Sequence, residues 1–421
     1  MKRVGYLFER VVDPGNLHLA FWKASKGKRF RDDQRDFMQN LGRELCRLRD
    51  GLLSGDYTIG NFTRFTIYDP KIREICAASF GERVLQHAIM NVCEPYFDKW
   101  LIYDSYACRK GKGQVAAVRR ARDFATRYKW FMKCDFKKYF DSIPHDRLKE
   151  ALGRRFKDPY VLGWFNRIID SYEKTPGRGI PIGSLVSQHL ANLYLDPLDR
   201  CLMQKHRVGY VRYMDDFVFW ANDKEDVLAL RQEVIDFVES KLGLELKQEP
   251  FINRTRYGMD FLGMRVFSRA VRLGRTSRVR YRRKVKAYGR SFERGEFDET
   301  EYQNRLTSLT AFTEQVDARA WRRKILADCE GQRARTVCCA AAAGTTTRGT
   351  AVPRTATGTG PATATTTTAS ASVAPQHRRT IRAVPAVGPF APHGTTNDGR
   401  CVGASSVVES PEASHFKEPW T

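Results

Sequence analysis

Three aspartates, far apart in the sequence, have the type and spacing needed to hold divalent cations. Asp215 and Asp216 are adjacent and lie between two apolar stretches, Val208–Met214 and Phe217–Trp220. The alternation in these stretches predicts a β-hairpin with both acids at its tip. Asp-Asp is a poor hairpin turn, since such turns favour Asn-Gly or Asp-Gly. Asp135 ends a third apolar stretch, so the sequence predicts a metal site built from three carboxylates.

A carboxylate trio of this kind is what two-metal phosphoryl transfer requires. Two ions about 3.5–4 Å apart activate an attacking 3′-hydroxyl and stabilise a leaving pyrophosphate. Taken singly, the hairpin acids could instead form a solvated turn, and Asp135 could cap a turn.

The charge of the whole chain favours a polyanionic partner. Of its 421 residues, 72 are Lys or Arg and 48 are Asp or Glu, which gives a net charge of +24 and a pI of about 9.7. Such an excess indicates nucleic acid before a membrane surface. An acidic site inside a basic protein therefore favours phosphoryl transfer on nucleic acid.

The ten cysteines and the N-terminal residues predict a compartment. No Cys-x-x-Cys or Cys/His spacing suits a metal, so zinc is not expected, and a reduced setting is favoured. The first residues are too charged for a signal peptide, and no apolar stretch approaches membrane length. We expect a cytoplasmic protein with no membrane partner.

The segments around the acids predict the elements that position them. Pro144 opens a helix after Asp135, and Val227 to Leu242 forms another, whereas Gly243–Lys247 and Gly258–Val266 have the pattern of strands. Leucines at helical spacing predict a helical region over residues 1–60: Leu41, Leu45, Leu48 and Leu52.

Several basic residues and one glycine are candidates for binding a nucleotide or a template. Lys71 and Arg73 lie two apart in a predicted hairpin, where they could grip a triphosphate or form a solvated strand face. Arg109 and Lys112, in a glycine-rich turn, could contact phosphates or remain in a solvated loop. Gly183, at a helix entry, would permit close approach of a base pair or sugar.

Residues 268–326 combine a dense basic run with helical patterning. The run Arg278–Lys286 interleaves arginines and lysines with Tyr281, and Tyr288 follows it. This pattern suits a duplex backbone, with binding that weakens as salt rises. A solvated basic face is the alternative.

Together these motifs resemble those of reverse transcriptases over roughly residues 50–267. The resemblance rests on Asp135, on Tyr213-Met214-Asp215-Asp216, on the helix entry at Gly183 to Gln188 and on Phe261-Leu262-Gly263. It implies an α+β right-hand polymerase with fingers, an antiparallel palm sheet and a helical thumb, followed by a disordered C-terminal tail. The implied activity is extension of a primer on an RNA template with deoxynucleotides.

The resemblance also assigns roles to single residues. Two Mg²⁺, with Mn²⁺ as a substitute, would be held chiefly by Asp135 and Asp215, with Asp216 secondary. Phe140 would be the steric gate against a 2′-hydroxyl. Pro250 stands where related enzymes often have Lys, which counts against Lys247 as the general acid and leaves that group unassigned. The other implied contacts are to the nucleotide (Lys71, Arg73, Ile182, Gly183 and Gln188) and to primer or template (Arg109, Lys112, Tyr213, Phe261 and Gly263).

Within this family, Ile182 to Gln188 is similar to the variant found in diversity-generating retroelements. Those enzymes copy a template-repeat RNA into cDNA with errors at adenines, and they work with a small accessory variability determinant protein. At Ile182 an amide is replaced by an apolar side chain, which removes a polar contact to the incoming base. We therefore expect relaxed fidelity.

The last 91 residues have a composition that cannot build a core. From Gly331 to Thr421 there is no Leu and one Ile, among long Ala/Thr runs, so the tail is predicted to be disordered. Shifting the reading frame by two places turns each Thr into an xAC codon and Cys338-Cys339 into a Leu. We hypothesise that residues 335–373 are an adenine-rich template repeat translated out of frame. A plain low-complexity tail is the alternative.

The predicted boundaries are a helical extension over 1–60, fingers and palm over 61–267, a basic thumb over 268–330 and the tail over 331–421. Two rival functions remain: a group II intron maturase or retron-type reverse transcriptase, and a catalytically silent relative that only binds nucleic acid.

Overall fold

The computed structural model describes residues 2–27, 31–68, 72–205, 208–316 and 318–328. These residues belong to one compact unit, Met1–Thr347, and the second unit, Arg348–Thr421, lies outside them. Lys71 and the template-repeat hypothesis for residues 335–373 therefore fall outside the described residues.

The first part of the chain is helical, as predicted, and it leads to a small hairpin and two long helices. The helices before the hairpin are α1 (Phe8–Val11), α2 (Pro14–Ser25), α3 (Asp32–Gln39) and α4 (Leu41–Ser54). The hairpin strands and the following helices are β1 (Thr63–Ile67), β2 (Arg73–Ala77), α5 (Phe80–Trp100) and α6 (Gln114–Arg127). Ser79 caps α5 by accepting a hydrogen bond from the backbone amide of Glu82.

A four-stranded antiparallel sheet lies at the centre, in the order β4-β5-β3-β6. Its strands are β3 (Trp130–Asp135), β4 (Gly209–Tyr213), β5 (Asp216–Ala221) and β6 (Phe251–Arg254). Between β3 and β4 the chain forms α7 (Tyr139–Ser142), α8 (His145–Gly153), α9 (Pro159–Asp170), α10 (Leu185–Tyr194) and α11 (Asp196–Lys205), and α12 (Lys224–Asp236) follows β5.

Both faces of this sheet are buried, because its strands are apolar on both sides. Along β5, Phe217 and Phe219 belong to one hydrophobic core with α5, α9 and α10, whereas Val218 and Trp220 belong to a second core with α6. All four side chains are fully buried. The central strands are therefore rigid supports for whatever lies at their ends.

A second sheet and a set of basic helices follow. The sheet is a three-stranded antiparallel meander of β7 (Met259–Phe261), β8 (Met264–Val266) and β9 (Val271–Leu273). The helices are α13 (Arg275–Glu293), α14 (Glu299–Thr313) and α15, residues 319–328. The mixture of helices and antiparallel sheets confirms the predicted α+β right-hand polymerase fold.

Some predicted elements differ from the structure. Gly243–Lys247 is not a regular strand, since only Leu246 forms a bridge, to Phe136. The strand that pairs with β3 on that side is β6, which the sequence pattern missed. The helix predicted over 227–242 is α12, which is followed directly by a π-helical turn over Phe237–Leu242.

In the part of the chain that the structure describes, no helix has the length and apolar character needed to span a membrane.

Candidate active site

Asp135 and Asp216 lie side by side on neighbouring strands. In the antiparallel pairing of β3 with β5, Asp135 is directly opposite Asp216, and on the other side of β5, Tyr213 is opposite Asp216. Directly opposite residues of an antiparallel pair have Cβ atoms roughly 4.5–5.5 Å apart. Acids that are 81 positions apart in the sequence are thus brought together by strand register.

The hairpin that carries the other acid has a strained turn. The two loop residues between β4 and β5 are Met214 and Asp215. Asp216 was predicted to lie at the tip of the hairpin, but it is the first residue of β5. Met214 has a φ of 58°, a value that favours glycine at this position of a two-residue hairpin. Because Asp135 pairs with Asp216, this turn, with Asp215 in it, lies at the same end of the sheet as Asp135.

Asp216 has one satisfied and one unsatisfied oxygen. Its Oδ2 lies 3.0 Å from the Nζ of Lys133, whereas Oδ1 is buried and accepts no hydrogen bond. Burial raises the pKa of Asp216 to about 6, against the opposing effect of Lys133. A buried carboxylate oxygen without a partner is costly, and a bound cation would satisfy it.

A second lysine contacts the other strand-end acid. The Nζ of Lys247 lies 3.3 Å from Oδ2 of Asp135, and the backbone amide of Lys247 donates to the carbonyl of Asp135 at 2.9 Å. Among the residues that the structure describes, no group of three or more His, Cys, Asp or Glu is already arranged as a metal site. The two lysines supply the positive charge beside these carboxylates, and the unpaired oxygen of Asp216 fits the donor set of a hard cation.

A buried arginine stabilises the hairpin of β4 and β5. Arg212 is fully buried, and its guanidinium forms an ion pair with Asp199 at 2.6 Å. It also donates to the side chain of Asn192 at 2.9 Å and to the carbonyl of Met214 at 3.2 Å. The strained turn residue is thereby bonded to α10 and α11.

The predicted nucleotide residues lie along the loop before α10 and its neighbours. The carbonyl of Ile182 accepts a hydrogen bond from the amide of Cys76 on β2 at 2.8 Å. Gly183 has a φ of 115°, and a Cβ there would lie 2.9 Å from the carbonyl oxygen of Cys76. Arg73 is exposed on β2. Phe140 is half-buried on α7, and its backbone carbonyl accepts a hydrogen bond from the amide of Ile180 at 2.9 Å. Close packing on β2 is thus a structural reason for Gly183, besides its predicted contact with a nucleotide.

One predicted phosphate contact, that of Arg109, needs correction. The side chain of Arg109 is 8% exposed, and its guanidinium bonds the carboxylate of Asp98 at 2.5 Å. It also bonds three backbone carbonyls, those of Ile102 at 2.6 Å, Ser105 at 2.9 Å and Asp98 at 3.0 Å. These bonds occupy its donors, so Arg109 holds its own loop together and does not face a phosphate.

The predicted phosphate contact of Lys112, in the same turn, stays a prediction. Its ammonium packs against the ring of Tyr103 at 4.2 Å and bonds the carbonyl of that residue. Burial lowers the pKa of Lys112 to about 8. Gln188 contacts the start of this glycine-rich turn, because its Oε1 accepts a hydrogen bond from the thiol of Cys108 at 3.2 Å.

The predicted primer-binding residues converge on the turn between β7 and β8. Leu262 and Gly263 form this two-residue turn with φ values of 49° and 79°. Phe261 is fully buried, with the Nζ of Lys133 5.8 Å from its ring centre. Tyr213 is half-buried in the same core, and burial raises its pKa. Phe261 and Tyr213 therefore support this surface from within, whereas Gly263 is exposed.

The basic helices pack by residues that were expected to face a duplex. Tyr281 is 2% exposed and packs on Trp321, with ring centres 5.2 Å apart, so its predicted contact with a duplex is wrong. Tyr288 is half-buried and lines a groove of about 510 Å³ between α13 and α14, together with Arg280 and Lys284. The prediction of a duplex contact therefore rests on exposed basic side chains of α13, such as Arg278 and Arg282, and not on Tyr281.

Sequence reasoning missed two functional candidates, Lys133 and Arg212. Lys133 is two residues before Asp135 and therefore lies on the same face of β3, which is a signal that strand periodicity offers. Its ammonium donates to the carbonyl of Asp260 on β7 at 2.7 Å as well as contacting Asp216. No local pattern distinguishes Arg212, since its partners come from distant segments.

A comparison with known protein families identifies the domain that contains this site. Residues 68–266 match the family model for reverse transcriptase (RNA-dependent DNA polymerase). This range contains β2 to β8, including both strands that carry the paired aspartates. Residues 68–266 therefore form a reverse transcriptase domain, and the predicted class of enzyme, an RNA-directed DNA polymerase, is confirmed.

Particular relatives come from bacteria and yeast, and two of the three described below are named for introns. Protein YkfC of Escherichia coli is 27% identical over 286 residues, which are 56% of this chain and 74% of that protein. The group II intron-encoded protein LtrA of Lactococcus lactis is 22% identical, over 51% of this chain and 47% of LtrA. The putative COX1/OXI3 intron 2 protein of Saccharomyces cerevisiae is 28% identical, over 35% of this chain and 17% of that protein.

Among solved structures, apo telomerase from Candida tropicalis is similar with a TM-score of 0.41 and 12% identity, over 51% of this chain and 49% of that chain. The chain thus spans half or less of the length of several proteins that it matches.

Proposed function

We propose that this protein extends a primer on an RNA template with deoxynucleotides, using Asp135, Asp215 and Asp216. The observation that carries the proposal is the register that sets Asp135 opposite Asp216, within the segment that matches the family model. When bound, two Mg²⁺ would activate the primer hydroxyl and stabilise the departing pyrophosphate. The chain supplies the carboxylates and a turn held by Arg212.

The residues around the acids suit a nucleotide with its phosphates. Arg73 lies on the same face of β2 as Ile75, whose side chain lies against Gly183. A cation on this face would meet the phosphates of a nucleotide seated between β2 and α7, and Phe140 on α7 would lie at its sugar. This arrangement supports Arg73, Ile182, Gly183 and Phe140 as nucleotide residues.

Primer extension separates an active enzyme from a silent binding protein. We expect wild type with Mg²⁺ to extend a DNA primer on an RNA template, and Asp215→Asn to lose at least about 1,000-fold of the rate. Asp260→Asn is a matched control, because Asp260 is an exposed acid paired with Arg265 at 2.7 Å. Equal extension by wild type and Asp215→Asn would contradict the proposal, as would no extension by wild type.

We further propose that the copied RNA is the template repeat of a diversity-generating retroelement, with an accessory variability determinant protein as partner. The apolar Ile182 and the Ser187-Gln188 pair support this role. If Ile182→Gln leaves adenine misincorporation unchanged, the account of fidelity fails. If codons 335–373 lack AAC triplets in the shifted frame, the template-repeat account fails.

One relative named for a group II intron and another named for a COX1/OXI3 intron favour a second candidate, an intron maturase or a retron-type enzyme. The two candidates differ in the RNA that they require. A maturase would promote splicing of an intron that surrounds its gene, whereas a retroelement enzyme requires a nearby repeat that differs from its copy at adenines. Reading the flanking DNA distinguishes them.

A further inference from the structure

A groove of about 380 Å³ lies outside the candidate active site, between α6, the β8–β9 hairpin and the residues after α14. Three exposed arginines line it, Arg119 and Arg122 from α6 and Arg269 from the turn between β8 and β9. Apolar side chains that include Val118, Met264 and Val271 also line it. None of its lining residues is acidic, and none is one of the catalytic aspartates.

The fold builds this groove from two regular elements. Along α6, Val115, Val118, Arg119 and Arg122 recur at steps of three, one and three, which places them on one stripe of the helix. The hydroxyl of Thr126 donates to the carbonyl of Ser268 at 2.7 Å and holds the β8–β9 turn against α6. The groove is therefore preformed.

Its chemistry combines phosphate recognition with an apolar surface. Arginine presents a planar fork of donors that matches phosphate oxygens, and it also stacks on bases. Val115 remains 37% exposed beside the arginines, and the volume lies in the roughly 300–1,000 Å³ range of ligand sites. Arg122 also lies 3.5 Å from the exposed Asp123, a pair too weak to neutralise the groove. A nucleotide, with one apolar face and one charged group, matches both features.

We propose that this groove binds an unpaired nucleotide of an RNA, with the base on the apolar surface and the neighbouring phosphates on the arginines. A duplex would leave the apolar surface uncovered, because its bases are stacked inside. The choice of RNA rests on the proposed function, since the cDNA is paired with its template as it forms, and unpaired bases then belong to the RNA.

The location of the groove supports this assignment. The side-chain amide of Gln114, the first residue of α6, donates to the carbonyl of Leu262 in the β7–β8 turn at 2.6 Å. Met264, which follows that turn, lines the groove. The site thus borders the predicted primer-binding turn, and an RNA held there would be tethered beside the active site.

The test compares two RNAs and two charge-matched variants. We expect Arg119→Glu/Arg122→Glu/Arg269→Glu to bind a hairpin RNA with a single-stranded bulge at least 10-fold more weakly than wild type, by fluorescence anisotropy. The affinity for a fully paired RNA of equal length should change less than 3-fold. The slope of log affinity against log salt should fall by about 2, for three lost phosphate contacts at roughly 0.7 each.

The control variant is Arg43→Glu/Arg49→Glu/Arg127→Glu, which changes the same charge at exposed arginines outside the groove. Val115→Gln tests the apolar surface without loss of charge, and we expect it to weaken binding of the bulged RNA alone. Circular dichroism melts establish that each variant folds. Equal affinities of the groove and control variants, or equal losses for bulged and paired RNA, would overturn the proposal.

Primer extension at saturating concentrations of primer and template distinguishes this inference from the proposed function. Wild type and the groove variant should extend the primer at equal rates, because the groove contains none of the catalytic acids. Failure of wild type to extend would count against the proposed function. Normal extension with unchanged RNA binding by the groove variant would count against the groove alone.

Discussion

Arg212 and Asp199 form an ion pair, 2.6 Å from Nη2 to Oδ2, in which both side chains are fully buried. Asp199 also accepts from the hydroxyl of Tyr210 at 2.5 Å, so each carboxylate oxygen has a partner. This network connects α11 with β4 and, through the carbonyl of Met214, with the catalytic turn. The pair is therefore a support of the active site as well as a buried polar cluster.

Removing one partner of this pair should be costly. Arg212→Met leaves a buried carboxylate without its cation, which typically costs about 3–5 kcal/mol. We expect this loss in the free energy of unfolding from urea denaturation, together with slower primer extension. Arg231→Met is the control, because the Arg231–Glu249 pair, at 3.8 Å, is largely exposed and should contribute less than about 1 kcal/mol. Similar losses for both variants would refute a special role of the buried pair.

Gly183→Ala should destabilise the loop before α10. The variant combines an unfavourable positive φ with a Cβ 2.9 Å from the carbonyl oxygen of Cys76. Gly177→Ala is matched, because Gly177 has a φ of 67° but no neighbour within 4 Å. We expect about 1–2 kcal/mol for Gly177→Ala from the backbone alone, and a larger loss for Gly183→Ala. Thermal melts of the two variants check this order, and the reverse order would contradict the packing account.

Glu82→Gln should stabilise the protein in a pH-dependent way. Glu82 is buried and accepts from the amide of Gly60 at 2.9 Å, and burial raises its pKa. A carboxyl with a raised folded-state pKa contributes stability below its unfolded pKa and loses that contribution as pH rises through the folded pKa. We therefore expect Glu82→Gln to raise the melting temperature at pH 7 and to leave it unchanged near pH 4. A gain of equal size at both pH values would exclude this cause.

Lys133→Met should affect the primer more than the nucleotide. The Nζ of Lys133 lies 3.0 Å from the carboxylate of Asp216 and donates to the backbone carbonyl of Asp260 at 2.7 Å. Lys133 thus connects the central sheet with the sheet that carries the predicted primer-binding turn. We expect a KM for primer–template raised at least 5-fold, a lower kcat, and a KM for deoxynucleotide changed less than 2-fold. Lys247→Met, which removes the half-exposed ammonium beside Asp135, should leave the primer KM unchanged. Steady-state primer extension with each substrate varied in turn measures these constants.

The sequence allowed prediction of the elements nearest the acids, and its limits have physical causes. Short, nearly continuous apolar stretches predicted β3, β4 and β5, because these strands are buried on both faces. The same patterns gave no information about partners from distant segments, so the buried role of Arg109 and the bond from Lys133 to β7 were not predicted. Tyr281 was placed on a nucleic-acid surface because its basic neighbours dominate the local composition, whereas packing on Trp321 decides its burial.

Met214 and Leu262 introduce backbone strain into two hairpin turns, because each has a long or branched side chain at a positive φ. Glycine at either position would relieve this strain and also loosen the backbone. Both side chains also pack partly against the hydrophobic cores, so glycine would exchange relief of backbone strain for lost packing. Comparing melting temperature with turnover in Met214→Gly and Leu262→Gly would measure how far catalysis depends on rigid, high-energy turns.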